Sequence, residues 1–447
     1  MFEGYSEEFK KNMKIAYPVM LGQLGQVTVG IVDSLMIGRL GTSNLAAVSI
    51  ANGMFFVVLI FGIGLSTAIT PLVAQADGEN DGKKAAGILS HGLLLNTVLS
   101  ILMTVVLFAG MPLLYKLNQP QEVIDIAIPY LKIITLSFIP LMIYQSVKQF
   151  AEGLSFTKPG MYATLIGNVV NTVLNYIFIF GKLGAPELGI VGAGIGTLAS
   201  RVVMMVVIYF FVIKRDKFKE IIKYVSFKNI ETAVFSRLAK IGIPTGMQMV
   251  FEVGAFVAAV FIAGLISKEA IASNQIAQSL ISISYMLATG FGSAATVRVG
   301  NQIGLKDYKM LRKAGISNMV LVTLMMMVFG VIFIFASEFL PSLYIDDAEV
   351  ISITASLLGV AALFQLSDGI QVVGLGALRG LQDVKVPTYI TFVAYWVIAL
   401  PLSYIFALKM DYGAMGIWMG LGIGLTFSAI FNLHRFLKIS NRLIKGE

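Results

Sequence analysis

Three carboxylates stand where the surrounding residues exclude water. Asp33 lies in GQLGQVTVGIVDSLMIG, and Asp368 lies in ALFQLSDGIQVVG. Glu252 is the twelfth residue of the 26-residue run from Ile241 to Ile266 and its only charge. An ionised acid at the centre of a bilayer costs ~2.5–3.5 kcal/mol even on mild insertion scales, so such residues normally face a cavity and hold a cation or a proton. The competing reading is a protonated acid, hydrogen-bonded to a neighbouring helix for packing alone.

Amides accompany the acids. Gln23 and Gln26 precede Asp33, and Asn168, Asn171 and Asn175 step by three and four along one helix face. Asp33 with that face is expected to form one polar network, and Glu252 with Asp368 another. Carboxylate and amide oxygens suit Na⁺ and H⁺ alike, so a Na⁺ site at Glu252 and Asp368 is one expectation and a proton site the other. Lys132 and Arg201 also fall within apolar runs, where each either contacts a substrate or snorkels outward. His91 and His434 lie near the ends of such runs and read as neither zinc ligands nor a buried relay.

The elements that hold these acids are apolar helices. The chain has 447 residues, 57% of them hydrophobic and 13% charged, whereas a soluble domain carries about 25% charged residues. Apolar runs of about 20 residues recur throughout, the length that crosses ~30 Å of hydrocarbon. The ~10-residue alternating segments of a membrane β-barrel are absent from the sequence. Spans are expected near 15–38, 47–71, 88–114, 126–148, 160–181 and 189–213, then 238–266, 275–300, 314–337, 350–376, 386–408 and 413–436. With no cysteine, disulfides and thiolate metal sites are excluded. The opening MFEGYSEEFKKNMK reads as a cytoplasmic stub before an uncleaved first span.

Lysine and arginine fix the expected orientation. With the N-terminus inside, the inner loops and adjoining helix ends hold 26 of them and the outer ones 5. Both termini are therefore expected in the cytoplasm, and the basic linker at 214–237 is expected against the anionic inner leaflet. The loops account for the net charge of +8, so no nucleic-acid partner is implied.

The sequence repeats. LAAVSIA (45–51) matches IASNQIA (271–277) at an offset of 226, which also aligns Gly64 with Gly290, Gly78 with Gly304 and Asp81 with Asp307. EGLSFTKP (152–159) matches RGLQDVKVP (379–387), and NYIF (175–178) matches SYIF (403–406). A six-span unit returns the chain to its starting side, so the repeats are parallel. The expected fold is an all-α polytopic membrane protein of 12 transmembrane helices. They would form two parallel six-helix bundles, 1–213 and 238–447, related by a pseudo-two-fold along the membrane normal. A central site between rocking bundles is transporter architecture. At the same offset, however, Glu252 falls on Gln26 and Asp33 on Ala259, so the halves have diverged in charge.

VDSLMIGRLGTSNLAAVSIA, LSTAITPLVAQADGENDGKKA and GSAATVRVGNQIG resemble the multidrug and toxic compound extrusion (MATE) family along the whole chain. Within it, Glu252 and Asp368 resemble the NorM-like branch, where the matching acids and a tyrosine, here Tyr285, are implicated in cation binding. Asp33, Asn171, Asn175 and Thr197 match that family's first-half polar network, to which Gln26 adds an amide. The DinF-like branch has an aspartate where this chain has Asn175, which favours the second-half pair as the coupling site. The resemblance implies a monomeric, multi-pass protein of the plasma (inner) membrane. It would export organic, often cationic, drugs or toxins by antiport with Na⁺ or H⁺, without a cofactor. Two rivals remain. A lipid-linked saccharide flippase would want a cationic groove for pyrophosphate. A membrane-embedded enzyme would want a catalytic constellation such as His–acid at the interface.

Overall fold

A computed structural model describes residues 5–116, 120–228 and 230–446. The first four residues of the expected cytoplasmic stub, Asn229 of the linker and the final residue lie outside the described residues. In the hydrocarbon region a backbone must satisfy its own N–H and C=O groups, and a helix does so within one segment. The described chain is accordingly helical. Its first half contains α1 (Tyr5–Gly38), α2 (Thr42–Ser66), α3 (Ile69–Gly78), α4 (Gly82–Gly110), α5 (Gln121–Leu136), α6 (Phe138–Gly153), α7 (Lys158–Ile179) and α8 (Ile190–Ile213). A short α9 (Asp216–Ile222) lies in the linker. The second half contains α10 (Thr232–Gly264), α11 (Lys268–Leu305), α12 (Tyr308–Phe335), α13 (Phe339–Ser342), α14 (Ala348–Gly380), α15 (Lys385–Phe392), α16 (Leu400–Tyr404) and α17 (Gly413–Lys445). Taking α2 with α3, α5 with α6, and 385–409 as single passes, 12 helices among the described residues are long and apolar enough to cross a membrane. Each coincides with an expected span, with ends that run on by up to nearly three turns.

The repeat is written into the helix caps. Asn80 and Lys306 are equivalent positions in the repeat, and both adopt left-handed backbone, with φ of 55° and 57°. The next residue then caps a helix in each half. Asp81 accepts the Lys84 amide at 2.9 Å at the start of α4, and Asp307 accepts the Met310 amide at 3.0 Å at the start of α12. Such caps satisfy amides that have no partner inside the helix. Ser155 and Gln382, aligned by the EGLSF and RGLQD motifs, also share positive φ, at 66° and 61°.

The chain divides into two compact units, Leu21–Gly246 and Met1–Met20 with Met247–Glu447. The sequence division ran 1–213 and 238–447. The observed boundaries instead cut through α1 and α10, after Met20 and after Gly246, which again are equivalent positions in the repeat. Close helix contacts inside each unit account for this. In the first unit a Cβ on Gly64 would lie 2.5 Å from the Gly246 Cα, so the opening turns of α10 are seated directly on α2. In the second unit a Cβ on Gly290 would lie 2.5 Å from the Met20 Cγ and 2.9 Å from the Ala16 carbonyl, so the opening turns of α1 are seated on α11. Small residues that admit such approach are the usual means of packing membrane helices.

Phe138, Tyr144, Phe150 and Phe218 fill the first unit, with Phe218 of the linker helix α9 set edge-on to Phe150 and Phe156. The linker is thus fastened, not loose: Lys217 Nζ meets Asp77 Oδ1 at 2.6 Å. His91 is buried, with Nδ1 2.7 Å from the Gly87 carbonyl and Nε2 accepting the Glu231 amide at 2.9 Å. The second unit has one cluster around Phe291, Val322, Leu378 and Phe436, and another around Tyr395, Trp418 and Leu425.

Candidate functional site

Each unit holds an acid that accepts from a side-chain amide, and the two networks use different residues. In the first unit, α7 presents Asn171 and Asn175 on one face, as their spacing requires. Asn175 Nδ2 donates to Asp33 Oδ1 at 2.7 Å and lies 3.2 Å from Asn171 Oδ1. Asn171 Nδ2 in turn reaches Thr197 Oγ1 on α8 at 3.4 Å. Gly196 makes room for this chain, because a Cβ there would come within 2.1 Å of Asn175 Oδ1. Asp33, Asn171, Asn175 and Thr197 are therefore brought together. Gln26 is not: its side chain is exposed, outside the chain of hydrogen bonds that joins the other four.

In the second unit Glu252 of α10 and Asp368 of α14 are both buried, at 7% and 4% relative exposure. Gln371 Nε2 donates to Glu252 Oε1 at 3.2 Å, and Gln371 Oε1 accepts from the Tyr395 hydroxyl at 3.1 Å. Gln371 lies one turn after Asp368 on α14, so both face the same side. Tyr395 sits in a π-helical stretch, Val393–Ala399. Wide turns of this kind interrupt the regular helix and are frequent at functional sites. Tyr285 of α11 lies within electrostatic reach of Glu252 and Asp368, and so does Arg379 of Glu252 and Tyr285. The Arg379 Nε is buried without a hydrogen-bond partner.

Sequence reasoning missed Gln371, Tyr395 and Arg379. The i, i+3 spacing from Asp368 marks Gln371 in retrospect. Tyr395 carried no local signal, because only the fold brings the 385–409 pass to α10 and α14. Arg379 reads from sequence as a loop-end cation. It lies in the last turn of α14, and side chains on a helix lean toward its N-terminus, which here is the direction of Gln371 and Asp368.

A buried pair of acids with amide and phenol neighbours can hold a monovalent cation or a proton. The ligands are hard oxygen atoms, which suit Na⁺ and do not suit a soft metal. No cluster of three or more His, Cys, Asp and Glu side chains fit for a metal ion occurs among the described residues.

The chain is 32% identical to the multidrug resistance protein MdtK of Photorhabdus laumondii over 432 residues, covering 95% of this chain and 94% of that protein. It is also 32% identical to the multidrug resistance protein NorM of Photobacterium profundum over 431 residues, covering 95% and 94%. Among solved structures, an outward-facing multidrug resistance MATE transporter of the MOP superfamily superposes with a TM-score of 0.90 at 21% identity, covering 98% of this chain and 97% of that one. A MOP-superfamily transporter from Pyrococcus furiosus, described as having reversed binding-pocket polarity and a suggested different function, superposes at 0.88 and 21% identity, covering 98% and 96%. The MatE family model matches residues 18–177 and again 244–405. The two matches start at equivalent positions, separated by the same offset that relates the Asp81 and Asp307 caps. With the repeat, the 12 apolar helices and full-length relatives in agreement, the chain belongs to the MatE family.

Proposed function

We propose that this protein is a secondary active multidrug exporter, moving organic and often cationic compounds out of the cell by antiport with Na⁺ or H⁺. The observation that carries this reading is the buried second-unit pair, Glu252 and Asp368, with Gln371, Tyr395 and Tyr285 around them. Acids at such depth are costly unless they bind something positive. The relatives named multidrug resistance proteins supply the substrate class.

Glu252 and Asp368 would hold the coupling cation or proton, with Gln371 fixing the Glu252 carboxylate and Tyr285 beside both acids. Asp33, Asn171, Asn175 and Thr197 would tune the polarity of the first unit. Access would alternate between the two membrane faces as the units rock. Lys and Arg, concentrated in one set of loops, support cytoplasmic termini in an inner membrane. A monomer suffices, since each chain already contains both units. The flippase reading is less well supported: two deep acids are the wrong polarity for a pyrophosphate. The enzyme reading is less well supported: both ring nitrogens of His91, one of two histidines, are engaged by the Gly87 carbonyl and the Glu231 amide.

Proteoliposomes carrying the purified protein test the proposal. An imposed inward Na⁺ gradient and an imposed inward pH gradient are applied separately. Uphill export of a fluorescent organic cation under one of them is expected. Export under neither, with the protein folded, would remove the antiport reading.

A further inference from the structure

Two hollows lie in line along the seam between α1 and α7 in the first unit, and they meet at Val32, which lines both. Neither is lined by Asp33, Asn171 or Asn175. The lower hollow, of about 510 Å³, lies between Leu24 and Val29 of α1 and Leu165 and Val169 of α7. Its walls are apolar but for Asn168 and two threonines, and the Thr28 hydroxyl turns back to the Leu24 carbonyl at 2.9 Å. It opens sideways, since Val169 and Val173 are 64% and 50% exposed. From Leu21 to Val32 it follows α1 for ~16 Å at ~1.5 Å per residue. That is about the depth of one leaflet of a ~30 Å hydrocarbon core.

The upper hollow, of about 580 Å³, carries charge. Tyr176 and Phe180 continue the apolar wall, with their rings edge-on at 6.1 Å. Arg39, Lys182 and Glu187 complete it. All three are exposed, and within the described residues none of them joins an ion pair or a side-chain hydrogen bond. The turn between α7 and α8 sets Lys182 and Glu187 in place. The Lys182 amide donates to the Ile177 carbonyl at 2.9 Å, and the Leu188 amide donates to the Phe178 carbonyl at 2.8 Å. Gly181, with φ of 61°, admits Glu187 closely, because a Cβ there would lie 3.0 Å from the Glu187 Cβ. Of the 5 Lys and Arg in the expected outer loops, Arg39 and Lys182 thus meet at one hollow.

We infer that the seam between α1 and α7 is a binding site for one molecule of phosphatidylethanolamine. An acyl chain fills the lower hollow, the phosphodiester sits on Arg39 and Lys182, and the primary ammonium sits on Glu187. Arginine and lysine are the usual partners of a phosphate, one as a fork and the other as a point charge. A carboxylate only accepts hydrogen bonds, and a primary ammonium supplies three donors where a trimethylated one supplies none. Tyr176 lies at the level where tyrosines gather in membrane proteins, the boundary with the headgroups. A lipid seated here braces α1 against α7, the two helices that hold Asp33 and Asn175. The inference goes beyond the exporter reading and needs neither transport nor a coupling ion.

The test uses the full-length protein, delipidated in detergent and titrated with phosphatidylethanolamine, phosphatidylglycerol or phosphatidylcholine of the same acyl chains. Thermal midpoint and bound lipid, by native mass spectrometry, are read on the same samples. A saturable rise in midpoint at one lipid per chain is expected, largest with phosphatidylethanolamine. Arg39→Gln/Lys182→Gln should weaken the binding of all three lipids by about tenfold or more. Glu187→Gln should instead place phosphatidylglycerol above phosphatidylethanolamine. Val169→Trp, which fills the lower hollow, should abolish the response to every lipid. These four side chains are exposed, so the variants are expected to fold; if one does not, the order of headgroups in the wild type still decides. Binding that ignores the headgroup, a stronger wild-type response to phosphatidylglycerol, or unchanged affinity in Arg39→Gln/Lys182→Gln or in Val169→Trp would overturn the inference.

Discussion

Pro18 of α1 and Pro244 of α10 are equivalent positions in the repeat, and each lies inside its helix two residues before the chain passes from one compact unit to the other. A proline cannot donate the amide that would bond to the residue four positions earlier, and its ring crowds that carbonyl. Those earlier residues are Lys14 and Lys240, also equivalent in the repeat. The two helices shared by both units are therefore weakened at the same point, and kinks in helices concentrate at such prolines.

This relationship predicts opposite effects on stability and rate. Pro18→Ala and Pro244→Ala should each raise the unfolding midpoint, since an interior proline costs a helix ~3 kcal/mol. Transport should slow in both variants. A loss of about tenfold needs only ~1.4 kcal/mol more in the barrier, roughly half the proline cost. Turnover and thermal midpoint are measured on the same preparations, and unchanged turnover in both variants would remove these prolines from the conformational step.

Gly196→Ala is expected to disturb the first-unit chain without replacing any of its polar side chains. The added Cβ would fall 2.1 Å from Asn175 Oδ1, so the amide must swing away from Asp33. Asp33→Asn should act similarly, and both should impair export to a degree that varies with the drug. Rates for several unrelated compounds measure this. Equal and complete loss for all of them, together with loss of cation binding, would move the coupling site into the first unit.

Much of this was legible in the sequence, and the limits have physical causes. The 12 spans follow from run length, and the asparagine face of α7 follows from steps of three and four. Local capping and turn chemistry carried the repeat, because Asp81 and Asp307 act within one helical turn. The unit boundary was not legible. The polar linker at 214–237 suggested a break there, yet Phe218 and Lys217 fasten α9 to the first unit, and the division falls inside apolar helices. Gln371 and Tyr395 were missed because their roles depend on helices distant in sequence. Gln26 was included because it sits two turns from Asp33, but its side chain is exposed.

Glu252→Gln and Asp368→Asn should each abolish ion-driven export while the protein stays folded and inserted. Neutralising an acid in an apolar setting removes a desolvation cost, so the midpoint should hold or rise. Gln371→Leu should behave differently. It removes one hydrogen bond from Glu252 and one from Tyr395, and a lost intramolecular hydrogen bond costs about 0.5–1.5 kcal/mol. Both export and the midpoint should fall in that variant. Normal gradient-driven transport by Glu252→Gln and Asp368→Asn would refute a coupling role for the second-unit acids.

The last prediction concerns the coupling itself. If a cationic drug and the coupling ion both draw on Glu252 and Asp368, each must weaken the equilibrium affinity of the other by the same factor. Two positive ligands repel more strongly in a low-dielectric interior than in water. The resident Arg379 sharpens the competition, since it already offsets part of the charge at Glu252. Direct competition then yields antiport without a relay between distant sites, given only that the site opens to each side in turn. Drug binding to purified protein is titrated against Na⁺ at fixed pH, and against pH without Na⁺. Affinity should fall as the true coupling ion rises, and the dependence should vanish in Glu252→Gln/Asp368→Asn. For protons the sign is fixed: drug affinity must drop as the pH falls, because protonated acids no longer attract a cation. If neither ion changes drug affinity in the wild type, competition is wrong, and the coupling must act through the conformational step at α1 and α10.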